Sequence, residues 1–324
     1  MKKQVLVIIG MHRSGTSAST GALRYLGVDL GDRLYQGHAG INDKGYFEHA
    51  GIADTNDEVL ATLGSSWDDV LLRSNDWWKQ EKLALYVHKV HRLIRQDFSR
   101  SPLWAVKDPR VCRLLPWWLE IFATLQIAPH FLFVVRSPAA VHRSLEKRDG
   151  FPREKSFLLW ALHYLEAERY SRGYARTFVD FDRFLEEPVE SLLRVERELN
   201  LTFPVSVDEA KAGLSNFLSP DLRHHTAEQE PREVHPIPEL AQDLHAELLR
   251  ATGGASLNTT VMDELWVRME RIQQGFPEAL VSHIRSSGII RGDLQITLNR
   301  IFRSWSWVIG KPVRWMERRF GRDV

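Results

Sequence analysis

The sequence is poor in cysteine, in long apolar runs and in net charge, and each shortage narrows the class of protein. Among 324 residues there is one cysteine, Cys112, so no internal disulfide can form and we expect a reducing compartment. No window approaches the roughly 18 uncharged apolar residues that a membrane span needs. The formal net charge of +1 excludes a uniformly basic nucleic-acid coat, although a local basic patch is still compatible with it.

The first residues also lack the pattern of a signal peptide. Two lysines and a short apolar run are followed at once by the polar segment GMHRSGTS at residues 10–17, which interrupts any hydrophobic leader core. With 44% hydrophobic residues, the chain can bury one large core and leave material for an appendage. We therefore expect a globular protein that is cytoplasmic, or peripheral at the inner face of the cell membrane.

Four short apolar runs alternate with longer helical patterns. The runs VLVII, LWAV, FLFVV and TFVDF predict buried strands at residues 5–9, 103–106, 131–135 and 177–181. Residues 83–98 and 157–174 have apolar side chains at steps of three and four, which is typical of helices. Because parallel neighbours need crossover connections, this alternation predicts an α/β fold with a central parallel sheet and helices on both faces.

The alternation stops near residue 226. Residues 226–240, TAEQEPREVHPIPEL, are rich in proline and acidic residues and predict a linker or an extended surface segment. Only helical patterns follow. We therefore divide the chain into an α/β domain at residues 1–226 and, at residues 227–324, a linker with a helical carboxyl-terminal extension.

A heptad-like apolar stripe lies in residues 258–276 of that extension. Its members are Met262, Leu265, Met269 and Ile272. The stripe is too short to indicate a coiled coil, so we interpret the segment as a helix packed on its own domain.

Ligands of parallel sheets bind at the carboxyl ends of the strands, so the residues after each run are the informative ones. In GMHRSGTS, Gly10 and Gly15 allow successive backbone amides to point into one nest, and the next helix adds partial positive charge. Such a loop favours an oxyanion. The lysine that nucleoside-triphosphate loops carry after the second glycine is absent, because Thr16 stands there, and Arg13 comes earlier instead.

Two further strands end in cations, where a nucleotide hydrolase would hold a magnesium ligand. LWAV is followed by Lys107 and FLFVV by Arg136, which favours an anionic ligand neutralised by side chains. A proline opens the helix after Arg136, and Ser144 lies two turns along it, so both side chains can reach one phosphate group. Taken alone, Arg136 could equally be a surface ion-pair residue. The loop and this motif together predict a ligand with phosphate groups at two separated positions.

In this order, the segments resemble the sulfotransferases that use 3′-phosphoadenosine 5′-phosphosulfate (PAPS), particularly the bacterial branch that modifies carbohydrates and related metabolites. GMHRSGTS is similar to their 5′-phosphosulfate loop, and Arg136 with Ser144 matches their R-x7-S motif for the 3′-phosphate. The segments NDKGYFEH, WAVKDPR and FLSPDLRHH look like further family segments, and the likeness spans residues 4–226. The best-known eukaryotic members have lysine where this loop has Arg13.

The resemblance implies a P-loop-like sulfotransferase fold with PAPS as donor substrate and no metal. It implies 3′-phosphate contacts from Arg136, Ser144 and, near the end of the core, Arg223. Lys107 would face the sulfonate or the acceptor, unless it forms an ion pair with a carboxylate. Arg13 would also stabilise the departing oxygen or the sulfonate, since a guanidinium stays charged and binds oxyanions in a bidentate manner. The donor-binding loop residues would be His12, Arg13, Ser14, Gly15, Thr16 and Ser17.

An alcohol acceptor must lose a proton to a carboxylate or a histidine within hydrogen-bond reach. Glu48 is our first choice by similarity, because related carbohydrate enzymes use a glutamate. It could instead be a helix N-terminal residue that interacts favourably with the helix dipole. The alternatives for the general base are His49, His38 and Asp108.

The leading hypothesis is an enzyme that transfers sulfonate from PAPS to a hydroxyl of a sugar or lipid-linked glycan. The alternatives are a small-molecule kinase using ATP and magnesium, and a non-enzymatic membrane adaptor. The tail at residues 298–324 combines tryptophans with basic side chains, which suits an anionic membrane surface or, alternatively, a core with a basic rim. We expect no nucleic-acid partner and no metal, and interpret His88 and His91 as solvated helix histidines.

Overall fold

The protein, described here by a computed structural model, contains one parallel sheet of four strands. The structure describes residues 3–35, 45–218 and 235–303. The strand order is β2-β1-β3-β4. All four strands predicted from the sequence are present, and their bounds are β1 (Gln4–Ile9), β2 (Leu103–Lys107), β3 (Ala128–Val135) and β4 (Ala175–Asp180).

Helices connect the strands and cover the sheet. Two of them, α3 and α6, confirm the helical patterns predicted between the strands. The helices are α1 (Thr16–Tyr25), α2 (Ala50–Thr62), α3 (Ala84–Phe98), α4 (Val111–Thr124), α5 (Pro138–Asp149), α6 (Arg153–Ser171), α7 (Phe181–Glu186), α8 (Pro188–Leu199), α9 (Val207–Phe217), α10 (Pro236–Thr252), α11 (Thr259–Gln274) and α12 (Glu278–Arg303).

The sheet is buried on both faces, as the apolar runs predict. Successive side chains of a strand point to opposite faces. Val5, Val7 and Ile9 of β1 therefore belong to one apolar cluster, which includes side chains of α4, α6 and α10. Leu6 and Ile8 belong to a second cluster, with side chains of α1, α8 and α9. This two-sided burial confirms the α/β fold class with helices on both faces.

The carboxyl-terminal helices pack against this body. The predicted linker at residues 226–240 is wrong at its end, because α10 begins at Pro236. Proline is favoured at the first helical position, where its missing N–H would have no helical partner. The predicted domain boundary at residue 226 lies outside the described residues.

Both α10 and α11 contribute to the apolar cluster that contains β1, through side chains such as Leu244 and Met262. In the heptad-like stripe of α11, Met262, Leu265 and Met269 are buried, so the stripe packs within the protein. Among the described helices, none is long and apolar enough to cross a membrane.

Candidate active site

The loop between β1 and α1 has the nest-like backbone that its glycines predict. Arg13 and Gly15 both have left-handed backbone angles, with φ of 70° and 89°. A Cβ atom at Gly15 would lie 2.1 Å from the Phe181 ring, so no larger residue fits there. No side chain of the described residues caps the N-terminus of α1, and its first turn has no acidic residue. The amide groups of that turn thus suit an anion.

The single cysteine holds the start of this loop. The Gly10 amide donates to Cys112 Sγ at 3.4 Å, and the thiol donates back to the Gly10 carbonyl oxygen at 3.6 Å. Burial raises the pKa of the Cys112 thiol to about 12. The thiol is therefore neutral at physiological pH and acts as a structural contact. Sequence reasoning did not assign this role, since a buried thiol has no distinguishing local pattern.

Lys107, at the end of β2, joins two other predicted site residues. Its ammonium group donates to Glu48 Oε1 at 2.7 Å, to Ser17 Oγ at 3.1 Å and to the Tyr46 carbonyl oxygen at 2.9 Å. These three acceptors match the three N–H donors of a lysine. Lys107 is buried and Glu48 is partly buried. The ion pair considered for Lys107 is thus made with Glu48 itself, beside the first turn of α1.

Arg136, at the end of β3, meets the same loop. Its Nη1 donates to the Arg13 carbonyl oxygen at 3.0 Å, which the left-handed backbone of Arg13 makes accessible. Arg13 Nε in turn donates to Ser144 Oγ at 2.7 Å. Arg136 and Ser144 are each 6% exposed. The two predicted phosphate-binding motifs therefore lie in one place, and Arg136 is not a surface ion-pair residue.

Burial and the nearby Arg148 lower the pKa of Arg13. Arginine pKa values start from about 12.5 or above, so this group keeps its charge near neutral pH. The loop therefore carries a partly buried guanidinium. A cation shielded from water in this way stabilises a bound oxyanion more strongly than an exposed cation would.

His49, one alternative for the base, has a structural role. It is the N-cap of α2, and its Nδ1 accepts from the Ile52 amide at 3.2 Å. Its Nε2 lies 2.7 Å from Asp97 Oδ2. Burial lowers the pKa of His49, and Asp97 opposes that shift. Both ring nitrogens are thus occupied by the fold.

Asp108, a second alternative, is also held within the fold. Its Oδ2 accepts from Asn56 Nδ2 at 2.8 Å, and its Oδ1 accepts from the amide and Nη1 of Arg110 at 3.0 and 2.9 Å. Among the described candidates for the general base, only Glu48 bonds to Lys107, beside the first turn of α1. His38 and Arg223 lie outside the described residues.

The side chain of His12 packs beside other rings. Its ring centroid lies 4.4 Å from that of Trp67 and 6.4 Å from that of His163. Burial lowers the pKa of His12 well below 6.5, with Arg110 the next cause, so the ring is neutral. Its predicted part in donor binding stays a prediction. On α3, His88 is exposed, and the described residues contain no group of three or more metal-ligating side chains.

Comparisons with known proteins add little to this geometry. No family model matches the chain, and no curated protein matches its sequence. The sulfotransferase STF1 from Mycobacterium tuberculosis is 14% identical with a TM-score of 0.44, covering 83% of this chain and 77% of that chain. The sulfotransferase domain of the Synechococcus olefin synthase is 16% identical with a TM-score of 0.38, covering 86% of this chain and 98% of that one. Similarity of this extent carries no functional argument, so we base the function on the site.

Proposed function

We propose that the chain is a sulfotransferase that moves the sulfonate group of PAPS to a hydroxyl acceptor. The observation that carries this proposal is that three cations belong to or bond to the loop and first turn of one helix: Arg13 lies in the loop, Arg136 bonds to it and Lys107 bonds to the first turn. No side chain of the described residues caps this helix. Cations and amide dipoles at such a place favour a ligand with several anionic groups. The sequence resemblance supports PAPS as that ligand.

Different residues would bind the two phosphate groups of the donor. The amides of residues 15–17, at the first turn of α1, would hold the 5′-phosphate, as helix N-termini do. The Ser14 amide, which the sequence also suggested, already donates to the Met11 carbonyl oxygen at 3.1 Å. Arg136 and Ser144 would bind the 3′-phosphate. Because Ser144 accepts from Arg13 Nε in the structure, its hydroxyl is already oriented at the loop.

The transfer step needs no reactant other than PAPS and the hydroxyl acceptor. The bond from sulfur to the bridging phosphate oxygen breaks, a bond from sulfur to the acceptor oxygen forms, and the hydroxyl proton passes to the Glu48 carboxylate. Negative charge grows on the bridging oxygen, and Arg13 and Lys107 would stabilise it. Such preorganised cations are usually the largest contribution to catalysis of group transfer.

The position of Lys107 also argues against the kinase alternative. Its ammonium lies 3.1 Å from Ser17 Oγ, the hydroxyl that would bind magnesium in a nucleoside-triphosphate site. A dication there would have to displace Lys107 or bear its repulsion. An anionic sulfonate or phosphate oxygen at the same place gains from it.

Calorimetric titration tests the donor. Adenosine 3′,5′-bisphosphate should bind in the presence of a chelator, and Arg136→Ala should weaken it roughly tenfold to a hundredfold, as expected for hydrogen bonds to a charged group. The affinity for adenosine 5′-phosphate, which has no 3′-phosphate, should change little in the same variant. Arg183→Ala, which removes an exposed arginine of α7, is the matched control. Tight binding of ATP that requires magnesium, without binding of the bisphosphate, would establish the kinase instead.

The acceptor that we propose is a hydroxyl of a sugar or lipid-linked glycan, in keeping with the resemblance to carbohydrate enzymes. Labelled sulfonate should pass from PAPS to cell-surface glycan or lipid fractions. Glu48→Gln should abolish that transfer while the bisphosphate still binds. Label found in neither fraction would remove this acceptor class.

A membrane surface is the partner that we propose for the carboxyl-terminal part. On α12, Gly292 packs against Ala61 of α2 and Gly288 packs against Gly64, just after α2, whereas Ile290 and Leu294 are 69% and 58% exposed. The basic and aromatic tail follows in sequence. Apolar side chains beside cations favour anionic lipid. The full chain should float with phosphatidylglycerol vesicles and not with phosphatidylcholine vesicles, and sedimentation away from both would refute this partner.

A further inference from the structure

Phe181, the first residue of α7, touches both phosphate-binding motifs. Strands β3 and β4 are parallel, and their register pairs Val135 with Asp180. The next residues of the two strands, Arg136 and Phe181, therefore emerge side by side. The Arg136 guanidinium carbon lies 5.0 Å from the centroid of the Phe181 ring. The ring is 2% exposed, so this contact is shielded from water.

The same ring also limits the loop. A Cβ atom at Gly15 would lie 2.1 Å from Phe181 Cδ2, so the loop backbone passes directly over the ring edge. Arg136 Nη1 is fixed at the same time by the Arg13 carbonyl oxygen. Phe181 thus contacts the loop through Gly15 and the strand-end cation through its π face.

A guanidinium over an aromatic face is attracted by the ring quadrupole, and the attraction grows when water is excluded. An arginine held in this way loses less conformational freedom when it binds an anion. An aliphatic side chain of similar volume would fill the space without this attraction. The chemistry of the ring, beyond its size, is therefore suited to orient Arg136.

We propose that Phe181 is a positioning residue that orients Arg136 for the 3′-phosphate. The inference rests on the proposed function, because it takes adenosine bisphosphate as the ligand. It assigns Phe181 no contact with the reacting atoms.

The test compares two nucleotides in four proteins. Adenosine 3′,5′-bisphosphate and adenosine 5′-phosphate are titrated calorimetrically into the wild-type chain, Phe181→Leu, Phe181→Tyr and Phe184→Leu. Phe184 is a matched control, because it is also a buried phenylalanine of α7. Unfolding temperatures are measured for all four, since a buried phenylalanine also contributes to stability.

Phe181→Leu should weaken the bisphosphate roughly fivefold to thirtyfold, the range of a shielded cation–π contact. The affinity of Phe181→Leu for adenosine 5′-phosphate should stay within about twofold of that of the wild type, because the lost contact serves the 3′-phosphate. Phe181→Tyr, which keeps the ring, should retain most of the affinity. Phe184→Leu should lower the unfolding temperature without changing the ratio of the two affinities.

Two results would overturn the inference, and they are distinguishable. If Phe181→Leu and Phe184→Leu change the two affinities alike, Phe181 only packs the core, although the bisphosphate site stands. If the wild-type chain binds neither nucleotide, the proposed function fails first. Should Phe181→Leu not fold, Phe181→Met provides the same comparison with a more adaptable side chain.

Discussion

Two groups of buried charged side chains lie in this protein and are held in different ways. The loop cluster consists of Arg13, Lys107, Glu48, Arg136 and Ser144, at the carboxyl ends of β2 and β3 and beside the first turn of α1. Its members bond to one another across long sequence separations. The cluster adjoins a helix N-terminus that attracts anions. Its cations outnumber its carboxylate.

The helix cluster consists of Arg73, Arg113 and Glu166. Arg113 Nε donates to Glu166 Oε2 at 2.7 Å, and Arg73 Nη1 lies 3.6 Å from the same oxygen. Arg113 also donates to the carbonyl oxygens of Asp69 and Leu71, both at 2.8 Å. Burial, followed by Arg113, lowers the pKa of Arg73 to about 10. Carbonyl oxygens of the chain itself thus accept from this cluster, including that of Arg113, which accepts from Arg73 Nη1 at 2.9 Å.

The difference indicates that burial of charge serves two purposes here. In the helix cluster, the carboxylate and carbonyl oxygens stabilise the arginines, so the cluster fixes the segment before α3 onto α4 and α6. In the loop cluster, a bound anion would complete the balance of charge. We therefore expect substitutions in the helix cluster to change stability, and substitutions in the loop cluster to change binding.

The largest effect that we predict is on stability, in Glu166→Gln. The substitution leaves two buried guanidinium groups without their carboxylate, so the free energy of unfolding should fall by about 3–5 kcal/mol. Chemical denaturation of the variant and the wild type measures this loss. Wherever the variant is still folded, its affinity for adenosine 3′,5′-bisphosphate should be unchanged.

The matched control is Glu187→Gln, which breaks an exposed pair with Arg183 at 2.9 Å. Exposed pairs contribute at most about 1 kcal/mol, so this variant should resemble the wild type. If folded Glu166→Gln bound the nucleotide more weakly than the wild type, the separation of the two clusters would be contradicted.

The next effect concerns binding and has opposite signs at the two ends of one ion pair. Lys107→Met removes a cation beside Ser17 and should weaken adenosine 3′,5′-bisphosphate by about 1.5–3 kcal/mol. Glu48→Gln removes the negative charge 2.7 Å from Lys107. The affinity for the same ligand should then rise a few-fold, because a neutral amide attracts the ammonium less strongly than a carboxylate and competes less with the bound anion. Titration calorimetry measures both constants.

Catalysis should separate from binding in this pair. Glu48→Gln should bind the bisphosphate more tightly and yet lose sulfonate transfer, because the amide cannot accept the proton. If both variants weaken the ligand, Glu48 supports the nucleotide site and is not the base. Lys107→Arg keeps the charge, and it shows whether the compact ammonium itself is required.

Much of this fold follows from local patterns in the sequence. The four strands are short β-branched and aromatic runs, and Gly15 permits a left-handed turn that residues with a side chain adopt only rarely. The general rule that ligands bind at strand ends selected Lys107 and Arg136. The contact between Lys107 and Glu48 was not predictable in detail, since it depends on how residues 45–48 return to the sheet.

Residues whose type does not distinguish packing from function gave the wrong or missing assignments. Cys112 and Phe181 look like ordinary core residues, and only the strand order and register bring them to the loop. His49 and Asp108 have suitable chemistry for a base, but a helix cap and a turn already use them. Pro236 was assigned to a linker, although proline also begins helices.

The smallest effect that we predict is a pH dependence of stability at His163, a buried residue of α6 near the arginines of the helix cluster. Its Nδ1–H donates to the Leu159 carbonyl oxygen at 2.7 Å, and its ring lies 6.4 Å from that of His12. Burial, followed by Arg113 and Arg73, lowers the pKa of His163 to about 3. The folded protein therefore keeps this ring neutral.

An unfolded histidine titrates at about 6.5, so between that value and about 3 the unfolded chain binds more protons than the folded one. Stability is thus fully present above about pH 6.5 and is lost as the pH falls, by up to about 1.4 kcal/mol per unit. From pH 7 to about pH 5, the wild type should lose about 2 kcal/mol more unfolding free energy than His163→Phe. Urea unfolding at both pH values measures this difference.

His245→Phe is the matched comparison, because burial alone lowers the pKa of His245 to about 4. If only His245→Phe reduced the acid sensitivity, the folded protein would not be holding His163 neutral.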